Sequence, residues 1–390
     1  MIDRTRSVVA LLGICLTVGS GAAREVDRAA ALPAPDTSPL FWTQQERIVG
    51  FRNFDAIYDT RIVENGTDYL PLTGNPQDFS TLNYEVDGKA YPLDHYLETF
   101  FVAGFLVASG DSILIERYRL GHSETSRWVS FSVAKSVTSL LIGAAIRDGY
   151  IESVDEEVTD YLPRLKGGSY EGTTIRHLLQ MASGVAWNES YTDPASDVAL
   201  AAGLNGLALV NYLGKLPRAA DPGTRFNYNT GETNLAGAVL RAAIGNNAAS
   251  YLAAKVWRPL MEHPATWSIN SDVELGGCCI HATLRDYARI GLFAARDGVL
   301  PDGTRTLPEG WMRESTRGSP SYPGYGYLWW LWGDGRYAAH GIFGQLIWID
   351  PGNDLVIVTQ SAAPAATSPR QFVHRNALVD AVRRHVGSMD

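Results

Sequence analysis

The spacing of hydrophobic and polar residues changes period several times along the chain. From Phe101 to Leu120, FVAGFLVASGDSILIERYRL places two β-rich runs around Ser109-Gly110-Asp111, which predicts an antiparallel hairpin. From Phe131 to Tyr150 the apolar positions Val133, Val137, Leu140, Leu141, Ala144 and Ala145 recur at three- and four-residue steps, and Gly149 closes the run. That is a helical period. Few polar residues interrupt it after Ser139, so this helix should be buried on most sides. Between about Asp155 and Pro264, further helix-period segments (Thr174 to Met181, Asp197 to Leu213, Thr233 to Ile244, Ala248 to Leu260) alternate with Gly, Pro and Asn. They read as an all-helical lobe. After Cys279, ATLRDYARIGLFAARDG is helical again, whereas GYGYLWWLW, FGQLIWID and DLVIVTQSA read as strands joined at Gly333-Asp334-Gly335 and at Pro351-Gly352-Asn353-Asp354. Arg370 to His385 returns to a helix. Strands at both ends with helices between them predict an α/β (α+β) fold, in which distant segments build one antiparallel sheet flanked by helices. The α/β lobe is expected from residues 41–165 and 266–390, and the inserted helical lobe from 166–265.

Length and charge narrow the picture. A chain of 390 residues exceeds the roughly 250–300 at which single cores stop growing, consistent with two lobes around a cleft. The net charge is −9 and no cluster of Lys and Arg occurs, which argues against nucleic acid as a partner. Arg4 and Arg6, then an apolar run from Val8 to Val18 and the small residues Gly21, Ala22 and Ala23, read as a secretory signal over residues 1–23. The run is too short for a membrane span, so a secreted or periplasmic protein is expected, with residues 24–40 as linker or extended arm. Two cysteines then remain, Cys278 and Cys279. Adjacent in sequence, they do not suit an ordinary disulfide and are expected as small buried apolar residues, with no structural metal.

The chemistry concentrates in Ser132-Val133-Ala134-Lys135, at the start of the buried helix. Residues three apart share a helical face, which brings the Lys135 amine within reach of the Ser132 hydroxyl. A serine needs a base to become a nucleophile, and a lysine desolvated by Val133 and Val137 holds its proton weakly enough to serve. The Ser132 N–H, unpaired in the first turn, is available to an oxyanion. Other schemes lack anchors: there is no Gly-x-Ser-x-Gly elbow, His-Glu-x-x-His, P-loop or Gly-x-Gly-x-x-Gly. No cofactor is expected.

The order SFSVAKS, GTTIRHLLQMASGV, FNYNTGETN, LRDYARIG and HGIFGQLIWIDP resembles the serine β-lactamase-like superfamily, which includes class C β-lactamases, penicillin-binding proteins and family VIII esterases. FRNFDAIYDTRIVENG and HGIFGQ look closest to its 6-aminohexanoate-dimer (nylon oligomer) hydrolase branch. The resemblance implies a β-lactamase/transpeptidase-like fold with the site between sheet and helical lobe. It implies Ser132 as the acylated nucleophile, Lys135 as its base partner and Tyr228 as the residue that relays a proton to the leaving group. A phenol beside an ammonium is expected to have a lowered pKa. Where the family has Tyr-x-Asn, this chain has Thr230, so the polar role falls to Asn229 or Thr230. The strand motif falls on Ala339-His340-Gly341: Gly341 matches, the Ile342 N–H becomes the second oxyanion donor, and the leading cation is missing, which weakens a β-lactam reading. Gln345 has no expected role. In WNESYTDPASD, Tyr191 is the candidate to cover the substrate, with Glu189 or Asp193 to attract a cationic amine; a solvated turn at Asp193-Pro194 is the alternative.

The substrate expected from these readings is a small ester or linear amide, and the candidate substrate-binding residues are Tyr191, Asn229, His340 and Gly341. A β-lactamase or D-Ala-D-Ala carboxypeptidase is the rival enzyme. A catalytically silent binder of cell-wall fragments or peptides is the rival from another class. Oligomeric state is not legible.

Overall fold

Strand alternation becomes a sheet buried on both faces. In a computed structural model describing residues 31–202, 204 and 206–388, seven strands pair in the order Trp330–Gly333, Arg336–Gly341, Gln345–Asp350, Leu355–Ser361, Val102–Ser109, Ser112–Tyr118 and Thr73–Gly74. All pairings are antiparallel except that of Thr73–Gly74, which runs parallel to its neighbour. Ile357 faces Val107 across the ladder that joins the two ends of the chain. Successive side chains point to opposite faces. Leu106, Ile347, Ile349, Val356 and Val358 therefore enter one hydrophobic cluster, and Phe105, Val107, Leu346, Trp348 and Ile357 another. Helices Val133–Arg147 and Leu284–Ala295 cover the first, and Leu93–Thr99 and Pro369–Val386 the second. Each such aliphatic side chain contributes on the order of 1.5–3 kcal/mol by leaving water. At Gly291 a Cβ would stand 2.6 Å from Val356, so only glycine allows that helix to lie so close to the sheet.

The helices start where local chemistry says they should. Thr43 and Glu46 form a capping box, Thr283 accepts from the Asp286 N–H, and Ser368 caps the C-terminal helix ahead of Pro369. The helix Val133–Arg147 is buried from Val133 to Ala145, between the helix Thr230–Ile244 and the sheet. Leu141, Leu235 and Ile347 share one cluster, so segments 41–165, 166–265 and 266–390 contribute to a common core. Residues from Leu32 onward make one compact unit.

Several expectations are corrected. A second sheet, Thr60–Val63, Ala265–Asn270, Ile280–Ala282 and Trp128–Val129, with Val273–Glu274 on the second strand, was not legible because most of its strands are two to four residues long. Asp197 to Leu213 forms two helices, Asp197–Ala202 and Gly206–Leu213. Of GYGYLWWLW only the end is strand, Trp330–Gly333. Cys278 and Cys279 are joined by a disulfide rather than lying free, and the peptide bond between them is cis. The end of the expected linker is anchored: Tyr58 donates to the Thr37 carbonyl (2.9 Å) and the Trp42 indole to Thr37 Oγ1 (2.9 Å). The expected signal over residues 1–23 lies outside the described residues.

Candidate active site

Two backbone corners meet at the site. The strand Trp128–Val129 ends at Ser130, whose N–H donates to the Ile280 carbonyl (2.8 Å) while its hydroxyl accepts from the Ile280 N–H (2.8 Å). Phe131 then turns left-handed, with φ of 44°, and Ser132 becomes the N-cap of the buried helix. The facing corner runs through Gly341, Ile342 and Phe343, and Phe343 is also left-handed, with φ of 59°. That conformation costs a bulky residue about 1–3 kcal/mol and persists only where packing dictates it. Here one aromatic group dictates both: the Phe51 ring lies 4.9 Å from Phe131 and 5.2 Å from Phe343, which are themselves 5.5 Å apart. A Cβ at Gly341 would collide with the Ser130 carbonyl oxygen, so glycine is what lets the two corners approach. Gln345 turns out to brace the second corner, donating to the Ile342 (3.1 Å) and Ser361 (2.7 Å) carbonyls. Among the described residues the Ser132 N–H has no backbone acceptor.

Lys135 is 1% exposed. Its ammonium donates to Thr230 Oγ1 (2.9 Å) and to the Gly277 carbonyl (2.9 Å) and lies 5.5 Å from the centre of the Tyr228 ring. Burial lowers its pKa to about 8, against the opposing pull of the Glu189 carboxylate. Among the described residues the hydrogen bonds of the Lys135 ammonium go to Thr230 and Gly277 rather than to Ser132 as expected, and Ser132 is hydrogen-bonded with Tyr228. The expected lowering of the Tyr228 pKa is also corrected. Burial, and then the charge of Glu189, raise it far above the usual phenol range, and only the Ser132 hydrogen bond opposes them. Tyr228 stacks on Trp330 at 5.7 Å.

The loop residue Glu189 is a hub. It accepts from the Trp187 indole, from the Tyr191 hydroxyl (2.8 Å), from the Thr230 N–H (3.0 Å) and from the Thr230 hydroxyl. Glu189 is expected from the sequence as a lure for a substrate amine, a role for which these bonds leave it little spare capacity. The available signal was the spacing of Trp187, Glu189 and Tyr191, which puts three side chains on one side of an extended segment. Asp193 closes a turn by accepting from the Ala195 N–H (2.9 Å). Thr230 therefore takes the polar role left open between positions 229 and 230. Asn229 is corrected as a substrate-binding candidate: it is fully buried, its Oδ1 caps the Glu232 N–H (3.0 Å) and its Nδ2 donates to Glu232 (3.1 Å), so both ends face the helix. His340 is corrected likewise. It stacks on Trp330 and accepts from the Trp332 indole (3.3 Å), and burial then lowers its pKa well below the usual range.

Ser132, Tyr191, Thr230 and Ile342 line a common cavity of about 430 Å³. Its walls include Pro35, Pro39 and Leu40 of the N-terminal arm, and Cys278 and Cys279. Neither Tyr228 nor His340 is on its wall.

A family model described as Beta-lactamase matches residues 100–379. The chain belongs to the Beta-lactamase family. As a member of that family it is a hydrolase. This β-lactamase-family chain is 30% identical over 299 residues to the 6-aminohexanoate-dimer hydrolase of Paenarthrobacter ureafaciens, covering 70% of this chain and 75% of the relative. Among solved structures, a Bacillus anthracis protein provisionally named 6-aminohexanoate-dimer hydrolase superposes with a TM-score of 0.81 at 21% identity, over 92% of this chain and 99% of that one. A family VIII carboxylesterase gives a TM-score of 0.56 at 17% identity, over 75% and 96%. These likenesses bear out the β-lactamase/transpeptidase-like fold.

Proposed function

We propose that this hydrolase cleaves small carboxylic esters and linear amides through an acyl-enzyme on Ser132. Ser132 Oγ attacks the carbonyl carbon, and its proton passes by way of the Tyr228 hydroxyl, to which Ser132 is hydrogen-bonded, to the Lys135 amine. The N–H groups of Ser132 and Ile342 hold the oxygen that gains charge. As the carbon–nitrogen or carbon–oxygen bond breaks, Tyr228 gives its proton to the leaving group and regains one from Lys135. Water then attacks the acyl ester, releasing the acid and restoring the Ser132 hydroxyl. The observation that carries this reading is a lysine at three residues' spacing from a helix-capping serine, shielded so that its pKa falls to about 8, with that serine opening onto a cavity. Burial keeps the Tyr228 phenol protonated at neutral pH, so the proton it gives to a leaving amine is in place. Ala339, where family members of the β-lactam type carry a cation, favours esters and amides over β-lactams.

Three substrates test the reading: a p-nitrophenyl ester, the 6-aminohexanoate dimer and nitrocefin. The first two should be hydrolysed, and Ser132→Ala should reduce both rates by roughly 10⁴-fold or more. Tyr228→Phe should slow the amide more than the ester, because nitrophenolate leaves unprotonated whereas an amine needs a proton. A fluorophosphonate adduct located by mass spectrometry on any side chain other than Ser132 contradicts the scheme. Turnover of none of the three, with ligand still bound, favours a silent binder. The basic, apolar and small-residue pattern of residues 1–23 further supports export, tested by whether the mature chain begins at Arg24.

A further inference from the structure

Among the described residues the Lys135 ammonium is held by one side chain, Thr230, and by one backbone carbonyl, that of Gly277. The carbonyl belongs to a turn closed by the Cys278 N–H on the Leu275 carbonyl (3.2 Å), with Gly276 and Gly277 as its central residues. Space demands both glycines. A Cβ at Gly277 would stand 3.0 Å from Lys135 Nζ, and one at Gly276 would stand 2.4 Å from the Thr233 carbonyl oxygen. A turn with two central glycines is open to several turn types, and its closing hydrogen bond is compatible with each of them. What distinguishes them is the orientation of the central peptide unit.

That unit is clamped at both ends. The Gly276 carbonyl accepts from the Thr138 hydroxyl (2.7 Å), and the Gly277 N–H donates to Asn234 Oδ1 (3.0 Å). Thr138 stands three residues after Lys135 on one helix and Asn234 four residues after Thr230 on the other, so each clamp shares a helical face with a member of the site. Asn234, half-buried, lies with Thr230 and Gly277 on the wall of the Ser132 cavity. We propose that Asn234 is a positioning residue, which selects the turn that aims the Gly277 carbonyl at the Lys135 amine.

This assignment rests on the acyl-enzyme reading, and its test separates the two. The full chain and its variants are assayed on p-nitrophenyl butyrate across the rising limb of kcat/KM. Asn234→Leu, similar in volume and without an acceptor, should lower kcat about tenfold with KM within about twofold, and should move the limb to lower pH, because an ammonium that loses an acceptor holds its proton less tightly. Asn234→Asp keeps an acceptor for the Gly277 N–H and adds a negative charge, so it should recover most of the lost kcat and move the limb to higher pH. The titratable groups facing the amine, the Tyr228 phenol and the Glu189 carboxylate, are unaltered in both variants. Asn234→Ala is read in the same way if the leucine variant does not fold. A limb that stays in place when the acceptor is removed, equal losses of kcat in the leucine and aspartate variants, or a loss confined to KM overturns the role of Asn234 and leaves the acyl-enzyme standing. Failure of wild type to form a fluorophosphonate adduct on Ser132 removes both.

Discussion

Two glutamates touch the turn from Tyr228 into the helix Thr230–Ile244, and their surroundings differ. Glu189 bonds Thr230 and receives hydrogen bonds from four groups. Glu232 bonds Asn229, and its Oε1 also accepts from the Ser183 hydroxyl (2.6 Å), while its Oε2 has no partner among the described residues. Burial pushes Glu232 up to about 8, and the charge of Glu189 adds to that push. Depth and donors together separate these carboxyls: Glu189 is only half-buried, takes four hydrogen bonds and influences Lys135, Tyr191 and Tyr228, while Glu232 is fully buried with fewer donors to hold a charge. The difference also explains how the chain manages with threonine at position 230. Thr230 relays between Lys135 and Glu189, and Asn229 is left to cap the helix.

The largest effect should come from removing the hub. Glu189→Ala strands both Thr230 groups, the Tyr191 hydroxyl and the Trp187 indole, and kcat on an activated ester should fall on the order of a hundredfold through misplacement of Lys135. Glu189→Gln sharpens the point. In wild type, kcat/KM should rise as pH passes about 8, because Lys135 must be neutral to accept a proton. Glu189 raises the Lys135 pKa, so neutralising it should move that rising limb to lower pH. An unmoved limb would show that the hub does not act on the lysine.

A smaller loss is expected from Thr230→Val, which leaves Lys135 with the Gly277 carbonyl alone; kcat should drop about tenfold with KM little changed. Equal changes in both constants would place Thr230 in substrate binding.

Glu232→Gln should be the mildest for activity, changing kcat by less than about twofold, and should show itself in stability. The folded-state pKa near 8 lies above the ordinary 4.5, so the folded protein keeps a proton that the unfolded chain releases. The stabilisation is full below the lower value and is lost as pH rises through the upper one. Thermal unfolding between pH 5 and 9 should show wild-type Tm falling by a few °C more than that of the variant. Parallel curves would mean that Glu232 stays ionised throughout.

Much of this was open to reading along the chain. The hairpin at Gly110-Asp111 and the buried helix depend on neighbours within a turn or two, and the structure matches them; the partner of the Lys135 amine did not follow from its spacing to Ser132. The small sheet was not legible, because strands such as Trp128–Val129 are shorter than any period. The placement of Asn229 and His340 in the site failed because a motif gives a position in the chain, whereas capping and ring stacking settle where a side chain points.

What the sequence determined is therefore the local geometry: which residues share a helical face, which strands alternate, and that a lysine sits in an apolar run. Tertiary structure alone decided the company those residues keep. Lys135 meets Thr230 and Gly277, which are 95 and 142 positions away, Phe51 pins both corners of the site, and Asn234 meets the Gly277 N–H across 43 positions. The reason is physical. Periodicity follows from bond geometry and is written into a few consecutive residues, but solvation of a charge depends on which donors the fold brings to it.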